Sequence, residues 1–459
     1  MEEIIARSYA EAEKFLNDVP KFTKKNPLQE TTGFYEYLQD CDAGRYREKY
    51  LGKVVHVAGT NGKGSVCAFL QSICIKSGYR TGMFISPHLV TTRERFCIDG
   101  SMISEEEFLE AFNWLSVKLA AYRRHKPDYS PTYFERLFFM GVYIFTKAGV
   151  ELLILETGLG GRLDTTNVIK KPALTIITEI GLDHMAYLGD TVTKIASEKA
   201  GIIKPNVPVV FSDRKKEASE VIRRKAAECG VMCYAVSEND YKINEIQKKF
   251  IDFSVASLYY DYGSFTAETT AAYQAENAAI AVRACEVLKR DCGFDNIAVK
   301  PIKEGIRAMH WAGRMEEIMP GVLVDGAHNE DGIEAFVQSL EKAEAFGSIN
   351  SARRHVLIFS VVKDKQYHKM IETLCRLDMI TDFVITHIPN ERGANLTELE
   401  NIFCQYADKN VQTIHACEKI EDAIALGMAM RGENGVVYVV GSLYLAGIVE
   451  KIFTAYRGE

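Results

Sequence analysis

Long hydrophobic runs are absent from this sequence, which argues against a helical membrane protein. No window approaches the roughly 18 uninterrupted apolar residues that a spanning helix needs. The first residues, MEEIIARSYAEAEKFL, are acidic and amphipathic, so they do not match a secretory signal. We therefore expect a cytoplasmic protein without a membrane partner.

Cysteine patterns typical of zinc sites and disulfide frameworks are also missing. The 11 cysteines are an odd number, and no two of them form a C-x-x-C pair. The closest two, Cys229 and Cys233, have no cluster of histidines or further cysteines beside them. Free thiols in a reducing compartment are the expected state.

The chain has no excess of positive charge either. Its formal net charge is −7 and its isoelectric point is near 5.9. Such a protein has no general electrostatic attraction to nucleic acid or to an anionic membrane. Any anionic substrate must be bound by a local group of cations and backbone N–H groups.

The chain of 459 residues is long enough for two domains. Short apolar runs such as KVVHVAG (53–59) and VELLILETG (150–158) alternate with helical patterns, which is typical of strands buried on both faces of a parallel sheet. We predict an α/β protein with a doubly wound, mostly parallel N-terminal domain at 1–295 and a linker at 296–310. A smaller Rossmann-like α/β domain is predicted at 311–459.

One segment of the first domain shows a different pattern. Residues 241–269 alternate polar and apolar side chains. This alternation predicts an antiparallel hairpin or an addition to a sheet edge.

The stretch VVHVAGTNGKGSVCAFL (54–70) has the features of a phosphate-binding loop. A β-branched run leads into a glycine-rich turn, and an apolar helical pattern follows, so backbone N–H groups and the helix dipole can face an anion. Gly59, Gly62 and Gly64 permit close backbone approach, and Lys63 can neutralise phosphate. Ser65 opens the helix, where its hydroxyl can bind Mg²⁺. The alternative is a glycine-rich strand-to-helix turn without a nucleotide, because Val57 replaces the usual first glycine and Gly64 separates Lys63 from the serine.

The sequence of this loop and the sequences of several later segments resemble those of one family. G-T-N-G-K-G-S resembles the ATP loop of the Mur ligase superfamily. Further segments, in order along the chain, resemble the folylpolyglutamate synthase and dihydrofolate synthase branch of that superfamily. They are SPHL (86–89), RERF (93–96), PTYFE (131–135), LETGLGGRLDTTNV (155–168), GLDHMAYLGDT (181–191), EKAGIIK (198–204), GRMEEI (313–318), VDGAHN (324–329), KDK (363–365) and GSLYLAG (441–447). The resemblance spans roughly residues 54 to 447. The chain departs from it at Tyr273, where the family usually has histidine, and at Ala312, where it usually has proline.

The resemblance implies an ATP-dependent amide ligase that forms an acyl phosphate and joins L-glutamate to folate. Some members of the branch also join dihydropteroate to glutamate. The implied partners are small molecules only, and the implied oligomeric state is a monomer. The implied cofactors are ATP and two Mg²⁺ ions, one of them bound through a carbamylated lysine.

The resemblance also assigns site residues. Those with catalytic roles are Lys63, Lys199 and His328. The nucleotide contacts are Gly59, Thr60, Asn61, Gly62, Lys63, Gly64, Ser65, Gln274, Asn277, Arg314 and Asp325. The implied magnesium ligands are Ser65, Glu135, His184 and Lys199. The substrate contacts are Arg93, Phe134 and Asp164, with Tyr133 and Arg95 as further candidates. Lys363–Lys365 and Ser442 are expected to shape the second domain rather than to touch reacting atoms.

Two other functions fit some of these observations. A cell-wall ligase acting on UDP-muramoyl peptides would use the same loop, but such enzymes usually carry a further N-terminal domain. Only some 50 residues precede the loop here, which favours the folate branch. A P-loop binding module without ligase activity is the alternative from a different class. It would not need Lys63, Glu135, His184 and Lys199 together.

Overall fold

A computed structural model describes residues 3–20, 26–48, 51–257, 259–349, 354–389, 391–432 and 435–457. Two large sheets organise these residues, one on each side of the segment 296–310, and a small three-stranded sheet accompanies the first.

The first sheet has eight strands in the order β4-β3-β2-β5-β1-β6-β7-β8. They are β1 (Lys53–Ala58), β2 (Thr81–Phe84), β3 (Phe96–Ile98), β4 (Ser101–Met102), β5 (Leu152–Glu156), β6 (Leu174–Ile177), β7 (Val209–Ser212) and β8 (Cys233–Val236). The six neighbouring strands β2, β5, β1, β6, β7 and β8 are parallel, and β3 and β4 add an antiparallel edge. Because β1 lies between β5 and β6, the carboxyl ends of these three strands meet at one edge.

Ten helices accompany this sheet and the segment that follows it. They are α1 (Tyr9–Asp18), α2 (Leu28–Asp40), α3 (Lys63–Lys76), α4 (Glu105–Tyr122), α5 (Tyr133–Ala148), α6 (Met185–Leu188), α7 (Val192–Ala200), α8 (Lys216–Cys229), α9 (Gln274–Cys292) and α10 (Val299–Ala308). Alternate residues of β5 enter different apolar clusters: Leu152 and Ile154 pack with α3 and α9, whereas Leu153 and Leu155 pack with α4 and α5. Helices therefore cover both faces of the sheet, as in a doubly wound domain.

The segment predicted as a hairpin forms a small antiparallel sheet of its own. Its strands are β9 (Tyr241–Ile246), β10 (Ile251–Val255) and β11 (Ser264–Ala267), in the order β11-β10-β9. Ile251 and Phe253 point into the apolar cluster that contains α9.

The predicted linker contains helix α10, which belongs to the first core. Ile302 and Ile306 are buried with the residues of α3. The two helices approach so closely that a Cβ on Gly305 would lie 2.5 Å from the Cα of Ile73. The segment is thus a docked helix rather than an extended connector.

The second sheet has six strands in the order β12-β13-β17-β14-β15-β16. They are β12 (Glu316–Met319), β13 (Val322–Val324), β14 (His355–Phe359), β15 (Ile380–Thr386), β16 (Thr413–Cys417) and β17 (Val437–Val440). All neighbours are parallel except β12 and β13. Its helices are α11 (Glu330–Ala345), α12 (Tyr367–Leu374), α13 (Leu396–Tyr406), α14 (Ile420–Met430) and α15 (Leu443–Arg457).

This sheet also has an apolar cluster on each face. The predicted fold class, an α/β protein with a large, mostly parallel first sheet and a smaller Rossmann-like second one, is confirmed. Within the described part of the chain, no helix combines the length and the apolar character needed to cross a membrane.

Candidate active site

The glycine-rich loop connects β1 to α3 at the centre of the first sheet. Its glycines are required by close neighbours. A Cβ on Gly59 would lie 1.8 Å from Thr178 Oγ1, and one on Gly62, where φ is 82°, would lie 2.4 Å from Asn277 Oδ1. The first N–H groups of α3 have no partner within the helix, so this end of the helix can bind an anion.

Lys63 lies folded over the loop. Its Nζ donates hydrogen bonds to the carbonyl oxygens of Gly59 and Thr60, each at 3.1 Å. The same Nζ is 3.9 Å from Oε1 of Glu156, the last residue of β5. The lysine thus lies where it can exchange backbone partners for a phosphate.

Lys199 reaches the same loop from α7. Its Nζ donates to the carbonyl oxygen of Gly59 at 2.5 Å, and the residue is only 4% exposed. Burial, aided by the neighbouring ammonium of Lys63, lowers the pKa of Lys199 to about 7. A substantial fraction of this amine is therefore neutral at physiological pH.

Glu156 and Ser86 form a pair beside Lys63 that the sequence analysis did not assign. The backbone N–H of Ser86 donates to Glu156 Oε2 at 3.0 Å. The Ser86 hydroxyl is buried and has no hydrogen-bond partner among the described residues. Burial raises the pKa of Glu156, although the ammonium of Lys63 opposes this shift. A buried carboxylate next to an unpartnered hydroxyl is a suitable oxygen donor set for a divalent cation.

Ser65 faces the N-terminal end of α9 instead. Its hydroxyl accepts a hydrogen bond from Gln274 Nε2 at 3.2 Å, and Gln274 Oε1 accepts one from Asn277 Nδ2 at 3.0 Å. All three residues are buried. The structure therefore brings these predicted nucleotide contacts together on one side of the loop.

Glu135 is used in the structure as a helix cap. Its Oε2 accepts from the backbone N–H of Thr132 at 2.7 Å, and its Oε1 accepts from the hydroxyl of Thr31 at 2.5 Å. Asn26 Nδ2 also donates to Oε2 at 2.9 Å. Both oxygens of the predicted magnesium ligand are thus occupied, while Glu156 lies at the loop.

Asp164 has a similar framework role. Its Oδ1 accepts from the backbone N–H and the hydroxyl of Thr166, at 3.0 and 2.6 Å, and its Oδ2 accepts from the N–H of Leu159 at 2.8 Å. These bonds fix the GGRLDTTN loop. Both carboxylate oxygens of Asp164 are already hydrogen-bonded. The loop that Asp164 holds, rather than its own carboxylate, would therefore contact the substrate.

The two arginines of RERF have different environments. Arg95 is 7% exposed, donates from Nε to His88 Nδ1 at 2.9 Å, and lies 5.6 Å from the ring centre of Tyr133. None of the described carboxylates lies within ion-pair distance of it, although Glu156 and Glu94 attract it from farther away. Arg93 instead donates to the carbonyl of Ile103 at 3.1 Å and lies 5.5 Å from the ring centre of Tyr9. Arg95, and not Arg93, is the buried cation that lacks an anionic partner.

Phe134 lies at the start of α5 and forms an apolar wall. Its ring centre is 5.7 Å from that of Phe84, and a Cβ on Gly158 would lie 2.6 Å from its Cζ. The ring of Phe134, the predicted aromatic substrate contact, thus packs on the backbone at Gly158, two residues after Glu156 at the end of β5.

Asp183 joins the two domains. Its Oδ1 accepts from Lys365 Nζ at 2.5 Å and its Oδ2 from Asn329 Nδ2 at 3.1 Å, while His328 Nε2 lies 3.8 Å away. Burial alone would raise the pKa of Asp183, but Lys365, His184 and His328 together outweigh burial and hold it well below its usual range. Lys365 of the KDK segment therefore reaches the cleft, although the sequence analysis expected that segment only to shape its own domain.

The loop also contacts the second domain directly. Asn61 and Asn329 exchange two side-chain hydrogen bonds, at 3.0 and 3.3 Å.

His184 follows Asp183 and has a left-handed backbone with φ 50°. Partial burial and the ammonium groups of Lys365 and Lys63 lower the pKa of His184 to about 4. His184 is thus a neutral imidazole at neutral pH, as a metal ligand must be.

His328 is oriented by its own backbone. Its Nδ1 is 2.7 Å from the carbonyl oxygen of Gly326, which can only accept, so Nδ1 carries the proton. Burial and the nearby Lys365 lower the pKa of His328 to about 4. The neutral ring therefore presents an unprotonated Nε2 to the cleft side that Asp183 occupies.

Asp325 and Arg314 lie at the entrance of the second domain. Asp325 accepts three hydrogen bonds, from the hydroxyl of Tyr273 at 2.5 Å and from the N–H groups of Met315 and Ala327 at 3.0 and 2.8 Å. Burial raises the pKa of Asp325, and the guanidinium of Arg314 opposes that shift. Tyr273 precedes α9, so this hydrogen bond joins the two domains where the family usually has histidine.

Within the described ranges, no group of three or more His, Cys, Asp or Glu side chains is placed to hold a metal ion alone. A metal at this site would therefore complete its coordination with hydroxyl, phosphate or modified-lysine oxygens.

The fold and the loop define a class of protein. Family models match two parts of the chain: the Mur ligase middle domain at residues 133–285 and the glutamate ligase domain of Mur ligases at 313–443. Solved structures with this fold include the folylpolyglutamate synthase of Mycobacterium tuberculosis complexed with ADP, with a TM-score of 0.84 and 24% identity over 97% of this chain and 98% of that one. The Escherichia coli FolC in complex with DHPP and ADP has a TM-score of 0.80 and 25% identity, covering 99% of both chains. The protein is an ATP-dependent ligase of the Mur type.

Curated relatives specify the branch. The dihydrofolate synthase/folylpolyglutamate synthase of Bacillus subtilis is 33% identical over 404 residues, which cover 87% of this chain and 90% of that one. The folylpolyglutamate synthase of Lacticaseibacillus casei is 28% identical, covering 80% and 83%. The chain belongs to the folylpolyglutamate synthase and dihydrofolate synthase family.

Proposed function

We propose that this protein joins L-glutamate to a folate at the expense of ATP. The observation that carries the proposal is a phosphoryl site built from both domains: Lys63 and Lys199 lie on the loop, and Lys365 and His328 meet the same cleft at Asp183. The B. subtilis and L. casei relatives carry this activity in their names.

The nucleotide would lie on the loop between the domains. Residues 59–65 and the end of α3 would hold its phosphates, with Lys63 released from its backbone partners to neutralise them. Gln274 and Asn277 lie on one side of this loop, and Arg314 enters from the second domain. Asp325 would act by holding Tyr273 and the backbone of this entrance in place, since its oxygens are already bonded.

Magnesium fits the donors at the loop. We propose Ser86 and Glu156 as ligands in place of Glu135, because the Ser86 hydroxyl is buried without a partner beside the Glu156 carboxylate. Ser65 lies on the side of the loop that faces Gln274, and His184 lies beside Lys199 and Lys63. When bound, the ions would neutralise charge on the transferring phosphoryl group.

Lys199 is suited to carbamylation because part of its amine is neutral at pH 7. In that reaction the nitrogen attacks the carbon of CO₂, an N–C bond forms and an N–H proton leaves to water. The product is an anion that can bind magnesium. Carbon-13 NMR with labelled bicarbonate would show the carbamate signal in the wild type and not in Lys199→Met, independently of any turnover.

The folate would lie against the first domain. Phe134 offers an apolar wall for a flat ring, and Arg95 is a buried cation without an anionic partner, as expected of a group that binds a substrate carboxylate. Arg93 is engaged with Tyr9 and Ile103 and is not part of this proposal.

The reaction would proceed in two steps. A folate carboxylate oxygen attacks the γ-phosphorus, and the bond to the β–γ bridging oxygen breaks, which leaves ADP and an acyl phosphate. The amine of glutamate then attacks the acyl carbon, the bond to phosphate breaks, and a proton leaves the nitrogen. The unprotonated Nε2 of His328 can accept a hydrogen bond from that amine. Domain contact excludes water from the hydrolysable intermediate.

Phosphate release from MgATP with L-glutamate tests the function. Turnover with both dihydropteroate and tetrahydrofolate, with products checked by mass, would establish both activities. Turnover with tetrahydrofolate alone would make the enzyme a dedicated polyglutamate synthase. Release with neither would refute the folate assignment and favour a muramoyl-peptide ligase or a non-ligase ATPase.

We also propose a monomer in the cytoplasm. All 11 cysteines are free thiols, which fits a reducing compartment. Light scattering of the purified chain should give the mass of one copy, about 51.5 kDa, and a dimer mass would refute the proposal.

A further inference from the structure

Residues 86–95, here named the 86–95 loop, follow β2 and are held in one shape by Glu94. The carboxylate of Glu94 accepts hydrogen bonds from the N–H groups of Leu89, Val90 and Thr91, at 2.7, 2.9 and 2.6 Å. Three charge-assisted bonds to successive residues make this loop a rigid unit.

The 86–95 loop is also anchored at its far side. The hydroxyls of Thr91 and Tyr9 are 3.0 Å apart, and the hydroxyl of Thr92 donates to Glu13 Oε1 at 3.0 Å. Helix α1 therefore supports the loop. The ends of the same loop carry Ser86 and Arg95, the two groups that the proposed reaction places at the metal and at the folate.

The tip of the loop touches the second domain. A Cβ on Gly447 of α15 would lie 2.2 Å from the carbonyl oxygen of Leu89, and one on Gly313 would lie 3.5 Å from the Leu89 side chain. Leu89 also packs against the apolar cluster of the second domain. Gly313 and Gly447 thus form a notch, and Leu89 lies in it.

Gly447 lies inside a helix, where alanine would be the stronger helix former. The backbone of another domain occupies the space that a Cβ would need, and this contact explains the glycine. Tyr444, in the first turn of α15, lies three residues before Gly447.

We propose that Leu89, docked in the notch formed by Gly313 and Gly447, is a positioning contact that couples closure of the two domains to the placement of Ser86 and Arg95. Because Glu94 makes the loop rigid, a displaced tip moves both ends of the loop. Turnover then requires the notch, whereas binding of ATP without magnesium to the loop at 59–65 depends on it less. The proposal depends on the proposed ligase reaction only for its turnover readout.

The first test is Gly447→Ala. We expect kcat/KM for the folate to fall by about tenfold or more, because the methyl group does not fit beside the Leu89 carbonyl oxygen and the domain contact must shift. Helix α15 itself should be retained, since alanine favours a helix. The Kd for ATP measured without magnesium should change less than kcat/KM, because the proposed phosphate contacts at 59–65 include neither Leu89 nor Ser86. Gly427→Ala is the matched control: it adds the same methyl group to a helix of the same domain, where its nearest neighbours are the side chains of Ile358 and Val437, at 3.2 Å or more.

The second test is Leu89→Ala, which leaves α15 unchanged and keeps the proposal testable if Gly447→Ala does not fold. Fluorescence energy transfer between one dye on each domain, measured with MgATP bound, should show wider separation in both variants than in the wild type. This readout needs no turnover, so it remains informative if the folate assignment fails. Wild-type turnover or wild-type separation in Leu89→Ala would overturn the proposal.

Discussion

Replacing Lys199 with methionine tests whether burial of this amine at the loop lowers the free energy of unfolding. The unfolded chain protonates this lysine below its ordinary pKa of 10.5, and the folded chain does so only below about 7. Between these values the unfolded state binds more protons, so the stability of the wild type rises with pH. The cost of burying the amine is about 4 kcal/mol at pH 7 and about 1.5 kcal/mol at pH 9.5.

Methionine removes this cost but also removes the hydrogen bond to Gly59, worth about 1 kcal/mol. Lys199→Met should therefore be more stable than the wild type by about 3 kcal/mol at pH 7, and nearly equal to it at pH 9.5. Its ligase activity should fall by at least about a hundredfold, because the loop loses a group beside the phosphates.

Urea unfolding followed by tryptophan fluorescence measures this difference, since Trp114 lies in the first domain and Trp311 packs on Gly64 of its loop. Buffers should be free of CO₂ and contain a chelator. Lys194→Met is the control, because Lys194 lies on the same helix but its side chain is 62% exposed. An equal difference between variant and wild type at both pH values, or a Lys199→Met variant that is less stable at pH 7, would refute the reasoning.

Five further substitutions distinguish site residues from framework residues. Glu156→Gln should lower kcat by about a hundredfold, whereas Glu135→Gln should lower the thermal midpoint and leave kcat nearly unchanged; equal kinetic losses would contradict the assignment. Arg95→Ala should raise the KM for the folate by about tenfold or more without changing the KM for ATP, and Arg93→Ala should change neither. Tyr273→Phe removes a hydrogen bond to a buried carboxylate, so it should destabilise the protein by about 2 kcal/mol and raise the KM for ATP; calorimetry and initial rates measure both effects.

The fold was predictable because strands buried on both faces have a simple pattern. β1 and β5 are nearly continuous apolar runs, and a glycine-rich turn follows β1 directly. The order of the strands has no such local signal, because it depends on which strands pair across long stretches of chain. The sequence therefore indicated a parallel sheet without showing that β5 lies beside β1.

The same reason explains why Glu156 and Ser86 were not assigned. They are 70 residues apart, and they meet only because β2 and β5 are neighbours in the sheet. For Glu135 a local signal was present. Thr132 and Glu135 have the spacing of a capping box, and the structure shows both of its hydrogen bonds. A carboxylate at the third position of a predicted helix, with threonine three residues before it, should first be considered a cap.

The charges in the cleft explain how an acidic protein can bind ATP. The basic side chains Lys63, Lys199, Lys365 and Arg314 lie close to the carboxylates Glu156, Asp183, Asp164 and Asp325. The cleft thus brings basic side chains together in a chain whose net charge is −7. Lys63 donates to loop carbonyl oxygens and Lys365 to Asp183, and each of these partners carries less negative charge than a triphosphate. A phosphate on the loop that drew Lys365 away from Asp183 would weaken a contact that joins the two domains, so we expect nucleotide binding and domain contact to be linked.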